Sequence, residues 1–374
     1  MDLKTIFSEV PDFRIAKKVK HHLNELLIIA LCAVLSGAED CGEIEEYGKQ
    51  KEDFLGQFLI LPNGIPSHDT FNRVFRFMDC KSFNKCLCNW SGEIIDQLKE
   101  EYQINIDGKV LRATGKKGKK TAALCLVSAW VTQQHLSLGQ VKVSKKSNEK
   151  TAIPLLLDDL EMEGALVSID AMGCDKTTAK KIESKGGKYL LALKKNQKSL
   201  YEEVHDWMLK NENHCEKNEV ISLTGGRIEK RTAYVTTNLT YIDELENWTG
   251  CKSIIMIKSE RTNKSMPDKT TTQLRFYISS AIGEAKYFNE GVRQHWSIEN
   301  NLHWQLDVVF SEDRQRIRKD KGAENFATLR KMALQLLLHN KGKGSLKKAR
   351  KRAAWNDGYL IKVLTSIPDV ISCV

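Results

Sequence analysis

Three acidic residues occupy positions at which carboxylates often do chemistry. Asp107 ends the alternating run YQINID, Asp170 ends the apolar run ALVSID, and Glu299 lies on a long predicted helix. Ligands and catalytic groups gather at strand ends in α/β sheets, so the two aspartates are candidates for one site. Taken alone, Asp107 with Gly108 is more typical of a hairpin turn. Asp170 alone could equally close a loop before a helix.

Glu299 is harder to explain as a solvated surface charge. A helix turns about 100° per residue, which determines the residues that share a face with this glutamate. They are Val292, His295, Trp296, Leu302, His303 and Leu306. On such an apolar and aromatic face, a carboxylate needs a cation, a hydrogen-bond network or a raised pKa.

The three carboxylates predict a metal site. With water they can fill the oxygen shell of Mg²⁺ or Mn²⁺, which prefer hard octahedral ligands. Two such ions about 3.5–4 Å apart can activate a nucleophile and stabilise the leaving oxygen in phosphodiester cleavage. A polyanionic backbone also suits a 374-residue chain whose 58 lysines and arginines exceed its 48 acids, giving a net charge of +10. A transition-metal site on His295 and His303 is an alternative.

The elements that must position these residues follow from hydrophobic periodicity. A helical segment comes first, and then three strands, a helix, a strand, a helix, a strand and a helix. This order predicts an α/β layer with a mixed sheet. Strand pairs then interrupt the pattern, one turning at Gly225 and Gly226, before long helices return. The predicted segments are a helical N-terminal domain (1–98), a first core part (99–215), a β-rich insertion (216–284), a second core part with the Glu299 helix (285–340) and a basic tail (341–374).

The helical N-terminal domain contains a candidate DNA-binding element. In GIPSHDTFNRVF, Ser67 is a plausible N-cap for a helix that carries Asn72, Arg73 and Arg76. A helix-turn-helix would lay these side chains in a DNA groove, whereas a plain helical hairpin is the simpler interpretation. The tail segment KGKGSLKKARKR has seven basic and no acidic residues, which could bind DNA without sequence preference or be disordered.

Export and membrane insertion are disfavoured. The longest strongly apolar run, LLIIALCAVL, has ten residues, whereas a bilayer span needs about 20. The N-terminus lacks a continuous apolar signal region. The ten cysteines follow neither a disulfide framework nor a zinc spacing. The sequence therefore predicts a protein of the reducing cytoplasm with no membrane partner.

Four long segments resemble one known family. They are INIDGKVLRATG, VSIDAMGCDKTTAKKI, KYLLALKKNQKSLYEEV and VRQHWSIENNLHWQLDVVFSEDRQRIRKDKGAENFATLRKMALQLLL. In this order they resemble the DDE transposases of bacterial insertion sequences, and among these the branch of H-repeat-associated proteins. The similarity extends from LNELLIIALCAVLSGAED near the N-terminus to residue 340.

The resemblance implies an RNase H-like core with a β-rich insertion between Asp170 and Glu299. It implies that Asp107, Asp170 and Glu299 are a catalytic triad that binds Mg²⁺ or Mn²⁺. The expected activity is that of a DNA transposase, which cleaves phosphodiesters at terminal inverted repeats and joins the 3′-hydroxyl ends to target DNA. The expected partner is double-stranded DNA of the element ends and the target, bound by a homodimer at the nucleoid in the bacterial cytosol.

One part of the family pattern is missing. Related transposases surround the glutamate with a tyrosine, an arginine and a lysine, and the corresponding residues here are Val292, His295 and Leu306. The resemblance therefore does not extend to the DNA-end handling, including hairpin chemistry, that those side chains support.

Residues near the predicted catalytic edge are candidates for DNA contacts. Cations there can bind phosphates, and tryptophan can stack on an unpaired base. Solvated lysines and core-packed tryptophans are the ordinary alternatives. The candidates are Lys109, Arg112, Lys194, Asn196, Gln197, His295, Trp296, Arg316 and Arg318.

Two other functions are compatible with the same core. One is a structure-selective nuclease that cuts DNA without strand transfer. The other is a catalytically silent DNA-binding relic of a transposon. The intact set of Asp107, Asp170 and Glu299 favours an active enzyme.

Overall fold

The computed structural model describes residues 3–95, 101–115, 122–144 and 149–365. Helices form its first part, as the periodicity predicts. They are α1 (Leu3–Ser8), α2 (Leu23–Ser36), α3 (Cys41–Gln50), α4 (Glu52–Leu55), α5 (His68–Phe77) and α6 (Cys80–Ile95). The described residues do not include residues 1–2 and 96–98 of the predicted N-terminal domain or residues 366–374 of the predicted tail.

The candidate helix-turn-helix has a different form in the structure. α5 begins after Ser67, as predicted, but residues 56–67 separate it from α4. This connection is far longer than the turn of about three or four residues in a helix-turn-helix. α5 packs instead on α3 and on a helix from the C-terminal part of the chain, residues 322–340.

The predicted core strands form one half of a mixed sheet. The elements are β1 (Gln103–Leu111), β2 (Leu124–Val131), β3 (Leu136–Lys142), α7 (Glu149–Asp158), β4 (Leu166–Ile169), α8 (Lys176–Ser184), β5 (Lys188–Leu193) and α9 (Lys198–Asn211). β1 pairs antiparallel with β2 and parallel with β4, in the order β3-β2-β1-β4-β5. The predicted alternation of elements and the RNase H-like mixed sheet are confirmed.

The four strands of the predicted insertion continue the same sheet. They are β6 (Glu216–Thr224), β7 (Arg227–Thr236), β8 (Ser253–Asn263) and β9 (Met266–Ser279). β9 pairs antiparallel with β5, so the complete order is β3-β2-β1-β4-β5-β9-β8-β7-β6. The turn between β6 and β7 uses Gly225 and Gly226, whose φ angles of 56° and 77° lie in the left-handed region that glycine adopts without strain. The insertion therefore extends the core sheet.

The chain returns to helices after β9. They are α10 (Ala285–Ile298), α11 (Trp304–Val309), α12 (Gly322–Asn340), α13 (Leu346–Trp355) and α14 (Asp357–Thr365). α7, α8 and α9 cover one face of the sheet, and α10 covers the other. α12 is buried along almost its whole length and packs on α2, α5, α6 and β3. The N-terminal helices thus share one core with α12, α13 and α14, so the predicted boundary at residue 98 does not separate two cores.

The segment predicted as a basic tail forms α13 and α14 as far as the structure describes it. The buried stripe of α13 consists of Leu346, Ala349, Arg350 and Ala353. The Arg350 guanidinium donates to the backbone oxygens of Val34 and Ala38 at the end of α2, and to that of Val309 in α11. This residue therefore ties the last helices to the first ones.

No helix in the described ranges is long and apolar enough to cross a membrane. The cysteines of these ranges are free thiols, and each is buried or half-buried. Burial raises the pKa of the Cys32 thiol to about 12, which disfavours the reactive thiolate.

Replacing Arg350 with alanine should destabilise the protein by about 2–4 kcal/mol, because three buried carbonyls lose a charged donor. Urea unfolding at neutral pH measures the change. Lys347→Ala removes an exposed charge from the same helix and should change stability by less than about 0.5 kcal/mol. Equal effects of the two substitutions would mean that α13 contributes to the fold no more than a free tail would.

Candidate active site

Asp107 lies inside β1, where it pairs with Ser128 of β2. Asp107 and Gly108 are therefore part of the sheet and do not form a hairpin turn. Side chains alternate across a strand, and Ile106 enters the core beneath α7, α8 and α9. Asp107 lies on the opposite face, where His303 approaches it.

Asp170 directly follows β4, the strand next to β1. The two strands run parallel with Ile106 opposite Ile169, so Asp107 and Asp170 are the next residues along them. The Asp170 carboxylate accepts a hydrogen bond from the backbone N–H of Met172 (3.0 Å), which holds the turn after the strand. The sheet therefore places the two predicted aspartates on neighbouring strands.

Two residues predicted to contact DNA hold this turn instead. The Asn196 side chain donates to the backbone oxygen of Ala171 (2.7 Å), and the Gln197 side chain donates to that of Cys174 (2.9 Å). Each side chain thus has a donor engaged inside the protein, where it positions the loop after Asp170. Lys194, at the end of β5, is exposed.

Glu299 begins a five-residue π-helical segment, Glu299–His303, between α10 and α11. Such segments are rare and often occur at functional sites. Buried polar contacts fix α10 on the sheet, and one of them is the hydrogen bond from the Gln103 side chain to the backbone oxygen of Gly291 (2.9 Å). The helix that carries Glu299 is therefore held directly over β1.

His295 belongs to the same buried contact. Its Nδ1 lies 3.0 Å from the Ser168 hydroxyl of β4, and its ring is almost completely buried. Burial lowers the pKa of His295 to about 4, so the ring is neutral at pH 7. The predicted DNA contact is not available to it, because the side chain lies in the interior.

His303 joins the Glu299 helix to β1. Its Nδ1 lies 3.2 Å from Glu299 Oε2 and 3.6 Å from Asp107 Oδ2. One ligand atom from each of the three residues lies within 4.8 Å of the other two, and within the described ranges no other set of histidine, cysteine and acidic residues has this spacing. Asp170 is outside the set, although its charge acts on Asp107. The structure therefore brings Asp107 and Glu299 together around His303.

The burial of Glu299 differs from the expectation. Its side chain is 66% exposed, whereas Leu302 and Leu306 on the same helix are fully buried. The hydrogen bond from His303 lowers the pKa of Glu299. The carboxylate thus lies at the rim of the site, ionised at neutral pH and open to a ligand from solvent.

The carboxyl group of Asp107 ionises less readily than a free aspartate. Burial raises its pKa to about 6, His303 and the N–H of Gly108 act in the opposite direction, and the charges of Asp170 and Glu149 raise it further. Carboxylates that crowd a desolvated site cannot all ionise easily without a cation. The site therefore favours binding of positive charge.

The close set offers two carboxylates, from Asp107 and Glu299, and the His303 ring nitrogen. Carboxylate oxygens are the ligands that Mg²⁺ and Mn²⁺ prefer, and Asp170 supplies a further carboxylate on the next strand. The alternative site on two histidines is not formed, because His303 belongs to the close set and His295 does not.

Lys109 has a different role from the predicted phosphate contact. Its Nζ lies 2.6 Å from Asp307 Oδ1 and 2.7 Å from Glu312 Oε2, and its side chain is only 10% exposed. Burial acts to lower the pKa of Lys109, but the two carboxylates outweigh it and raise the pKa. Lys109 therefore clamps β1 to α11 and to the segment that follows it.

The other predicted DNA contacts lie at the surface. Arg112 is exposed just beyond β1, and Arg316 and Arg318 are exposed between α11 and α12. Trp296 is 43% exposed, with the Arg275 guanidinium over its ring. These side chains are accessible, and their contacts with DNA stay predictions.

Glu149 is a fourth acidic residue at the site, which sequence reasoning missed. It begins α7, and its carboxyl carbon lies 2.4 Å from the position of a Cβ on residue 108. A larger residue at position 108 would therefore displace the Glu149 carboxyl group, because the strand passes directly against it. Burial raises the pKa of Glu149, and the charge of Asp170 raises it further. A glutamate at a helix N-terminus is common for reasons of helix polarity alone, so its position gave no signal.

The missing part of the family pattern has a structural counterpart. Val292, His295 and Leu306, which replace the family's tyrosine, arginine and lysine, are all buried. These three positions therefore do not supply contacts to a DNA end in this structure.

The mixed sheet, with aspartates on neighbouring parallel strands and a glutamate on the covering helix, defines an RNase H-like protein of the DDE class. Residues 99–336 match the family model described as a transposase DDE domain, and residues 4–91 match one described as DDE_Tnp_1-associated. The chain belongs to the DDE transposase family, as its motifs imply.

Two relatives from Escherichia coli are each 38% identical to the chain. "Putative transposase YncI" of O157:H7 aligns over 97% of this chain and 94% of its own length. "H repeat-associated putative transposase YhhI" of strain K12 aligns over 97% and 98%, which confirms the resemblance to the H-repeat-associated branch. A piggyBac transposase solved as a synaptic complex with hairpin DNA aligns over 97% of this chain and 78% of its own, with 11% identity and a TM-score of 0.38. That similarity is too weak to transfer any residue or step.

Gly108→Ala should destabilise the protein by less than about 1 kcal/mol, because the new methyl group meets the Glu149 carboxyl group, which lies at the free end of a flexible side chain and can move. Residues in direct contact are coupled, so Glu149→Ala in the same chain should recover most of the loss. Urea unfolding of the two single variants, the double variant and the unaltered protein measures this coupling. Strictly additive effects would contradict the contact.

Asp107→Asn should stabilise the metal-free protein above pH 7 by about 1–3 kcal/mol. The folded protein ionises this carboxyl only at about pH 6, whereas the unfolded chain ionises it from about pH 4. The gain should therefore shrink as the pH falls from 6 to 4, since the carboxyl group then becomes protonated in both states.

Urea unfolding in EDTA at several pH values tests this dependence. Asp159→Asn replaces an exposed aspartate and serves as the matched control, with no expected dependence on pH. A gain that is constant between pH 4 and pH 8 would show that burial does not raise the pKa of Asp107.

Proposed function

We propose that this protein is an active DNA transposase whose catalytic residues are Asp107, Asp170 and Glu299. The observation that carries the proposal is the convergence of distant chain segments at one edge of the sheet. β1 and β4 place the two aspartates on neighbouring strands, and a helix more than a hundred residues further along the chain brings Glu299 within 4.8 Å of Asp107 and His303. Membership of the DDE transposase family supports the same assignment.

In the proposed site, Asp107, Asp170 and Glu299 hold Mg²⁺ or Mn²⁺. A metal held by these carboxylates would supply activation of the attacking oxygen and stabilisation of the leaving oxygen of a phosphodiester. The element's ends would be cleaved with water as the nucleophile, and the freed 3′-hydroxyl would then attack target DNA. Both reactions are in-line displacements at phosphorus, so one site can serve both.

The surrounding residues keep the carboxylates in place. His303 Nδ1 lies at hydrogen-bond distance from Glu299 (3.2 Å) and 3.6 Å from Asp107, so the ring holds Glu299 beside β1. Lys109 fixes β1 to α11 through Asp307 and Glu312. These are positioning residues, because His303 Nδ1 and Lys109 Nζ are used within the protein.

The exposed cations near this edge are proposed to bind the DNA backbone. Lys194, Arg112, Arg316 and Arg318 are accessible, and phosphate contacts of this kind position DNA without reading its sequence. We further propose that the protein acts on DNA in the bacterial cytosol at the nucleoid, as a homodimer that joins the two ends of the element.

The first test is cleavage and joining of a donor plasmid that carries the gene with its native flanks. The unaltered protein should produce cuts at the flanks and joined products in Mg²⁺ or Mn²⁺, and none in EDTA. Glu299→Gln should lower the yield of both products by about 100-fold. Loss of a residue that merely supports a metal site costs about 10–100-fold, and Glu299 is proposed to bind the metal itself.

Glu290→Gln is the matched control, because Glu290 is an exposed glutamate on the same helix, and it should retain activity. Equal activity of Glu299→Gln and the unaltered protein would refute the role of the third carboxylate. Cuts without joined products would favour the structure-selective nuclease. DNA binding without any cut would favour a silent relic, and one short relative, 46% identical over 77 residues, is named "Inactive transposase YbfQ".

A further inference from the structure

A second concave surface lies in the helical N-terminal part, outside the acidic site. It is a cleft of about 520 Å³ between the segment before α2 and the first turns of α5. Half of the residues that line it are basic, and none of those in the described structure is acidic. The basic residues are Arg14, Lys18, Lys20, His21 and Arg73. The cleft therefore offers positive charge from two separate chain segments.

Hydrogen bonds hold the wall formed by the segment before α2. The Arg14 guanidinium is paired with Asp12 (2.6 Å) and donates to the backbone oxygen of His21 (2.9 Å). The Asn63 side chain donates to the backbone oxygen of Lys20 (2.7 Å). The backbone that carries the lysines is thus fixed before any ligand binds, which reduces the entropy lost on binding.

Three of the cations are available to a ligand. Lys18, Lys20 and Arg73 are exposed, and in the described part of the chain no carboxylate lies within ion-pair distance of them. Arg73 projects from α5, whose first turn also places the hydroxyls of Ser67 and Thr70 in the cleft. The two hydroxyls contact each other at 3.3 Å, and the Glu45 carboxylate already accepts the His68 N–H at the start of α5. The attraction for an anion therefore comes from the three cations.

The cleft on the other side of α5 has a different character. It has a volume of about 890 Å³, and acidic and basic residues share its lining. The acidic residues are Glu39, Asp40, Glu43 and Asp69. Arg76, which faces that cleft, is neutralised by Asp320 at 2.6 Å. The Arg73 side of α5 thus has no carboxylate in its lining, in the part of the chain that the structure describes. On the other side, four carboxylates offset part of the charge of six basic residues, which include Arg316 and Arg318.

We propose that the cleft lined by Lys18, Lys20 and Arg73 binds the phosphate backbone of double-stranded DNA, outside the acidic site and without reading base sequence. The inference rests on the proposed function for the identity of the polyanion. In this proposal, cations on one side of α5 bind the DNA backbone, and α5 does not enter a groove as a recognition helix. The cleft would hold a stretch of DNA that the acidic site does not touch.

Fluorescence anisotropy with a labelled duplex of the element's end, and with an unrelated duplex of equal length, tests the proposal. Binding is measured on the full chain in EDTA, so that no cleavage contributes. The triple variant Lys18→Ala/Lys20→Ala/Arg73→Ala is compared with Lys180→Ala/Lys210→Ala/Lys252→Ala, which removes three exposed lysines from α8, from α9 and from the loop before β8.

The cleft variant should bind both duplexes at least 10-fold more weakly than the control variant. The slope of log affinity against log salt should fall by about 2–3, since each lost phosphate contact contributes about 0.9. Thermal unfolding should give the same midpoint for both variants. If the triple variant unfolds early, Arg73→Glu alone should still weaken binding and reduce the slope.

Equal affinities and equal salt slopes for the two triple variants would overturn the proposal. A loss confined to the element's end would also overturn it, because a backbone contact weakens binding to any sequence. Failure of the proposed function has a different signature. An unaltered protein that binds DNA with the expected slope but never cuts it would refute the transposase activity and leave the cleft assignment intact.

Discussion

The arrangement of the site depends on a buried layer of polar side chains between the sheet and α10. Gln103 and Ser168 both donate to the Asn105 side-chain oxygen, and the same two strand residues contact Gly291 and His295 of the helix. Hydrogen bonds are directional, and a buried polar group without its partner is costly. This layer therefore fixes the rotation of α10 more strictly than an apolar contact would. Glu299 comes one turn after His295, so its direction is set by the same bonds.

Charge is distributed unevenly around this layer. On the inner side, the buried carboxylate of Glu312 is close to Lys109, Arg330 and Lys331, which together outweigh the effect of burial and lower the pKa of Glu312. At the rim, Asp107 and its acidic neighbours face only His303 within the close set. A lysine fixed at the rim would stabilise the metal-free protein. Its ammonium group would, however, take the place of a bound cation. The buried cations thus lie around Glu312 on the inner side of the site, and the carboxylates at the rim have no lysine or arginine in their close set.

Local patterns explain what could be predicted from the sequence. The period of two in YQINID and the apolar run before Asp170 follow from strand geometry, so the order of elements and the edge with both aspartates could be anticipated. The buried stripe of α13 was visible in the same way, although its charge suggested a tail. The pairing of Lys109 could not be predicted, because Asp307 and Glu312 lie 198 and 203 residues away. The exposure of Glu299 could not be predicted from a helical wheel, since His295 four residues before it and His303 four residues after it are both buried.

The core that α2 shares with α12, α13 and α14 has a consequence for synthesis on the ribosome. α2 is apolar along almost its whole length, and most of the chain must be translated before the helices that cover it emerge. Contacts between such distant segments form late, and an uncovered apolar helix promotes aggregation. A copy of the gene that is cut short before α12 would therefore produce no stable N-terminal fragment. Such a damaged copy could not supply a folded competitor for the DNA that the intact protein binds.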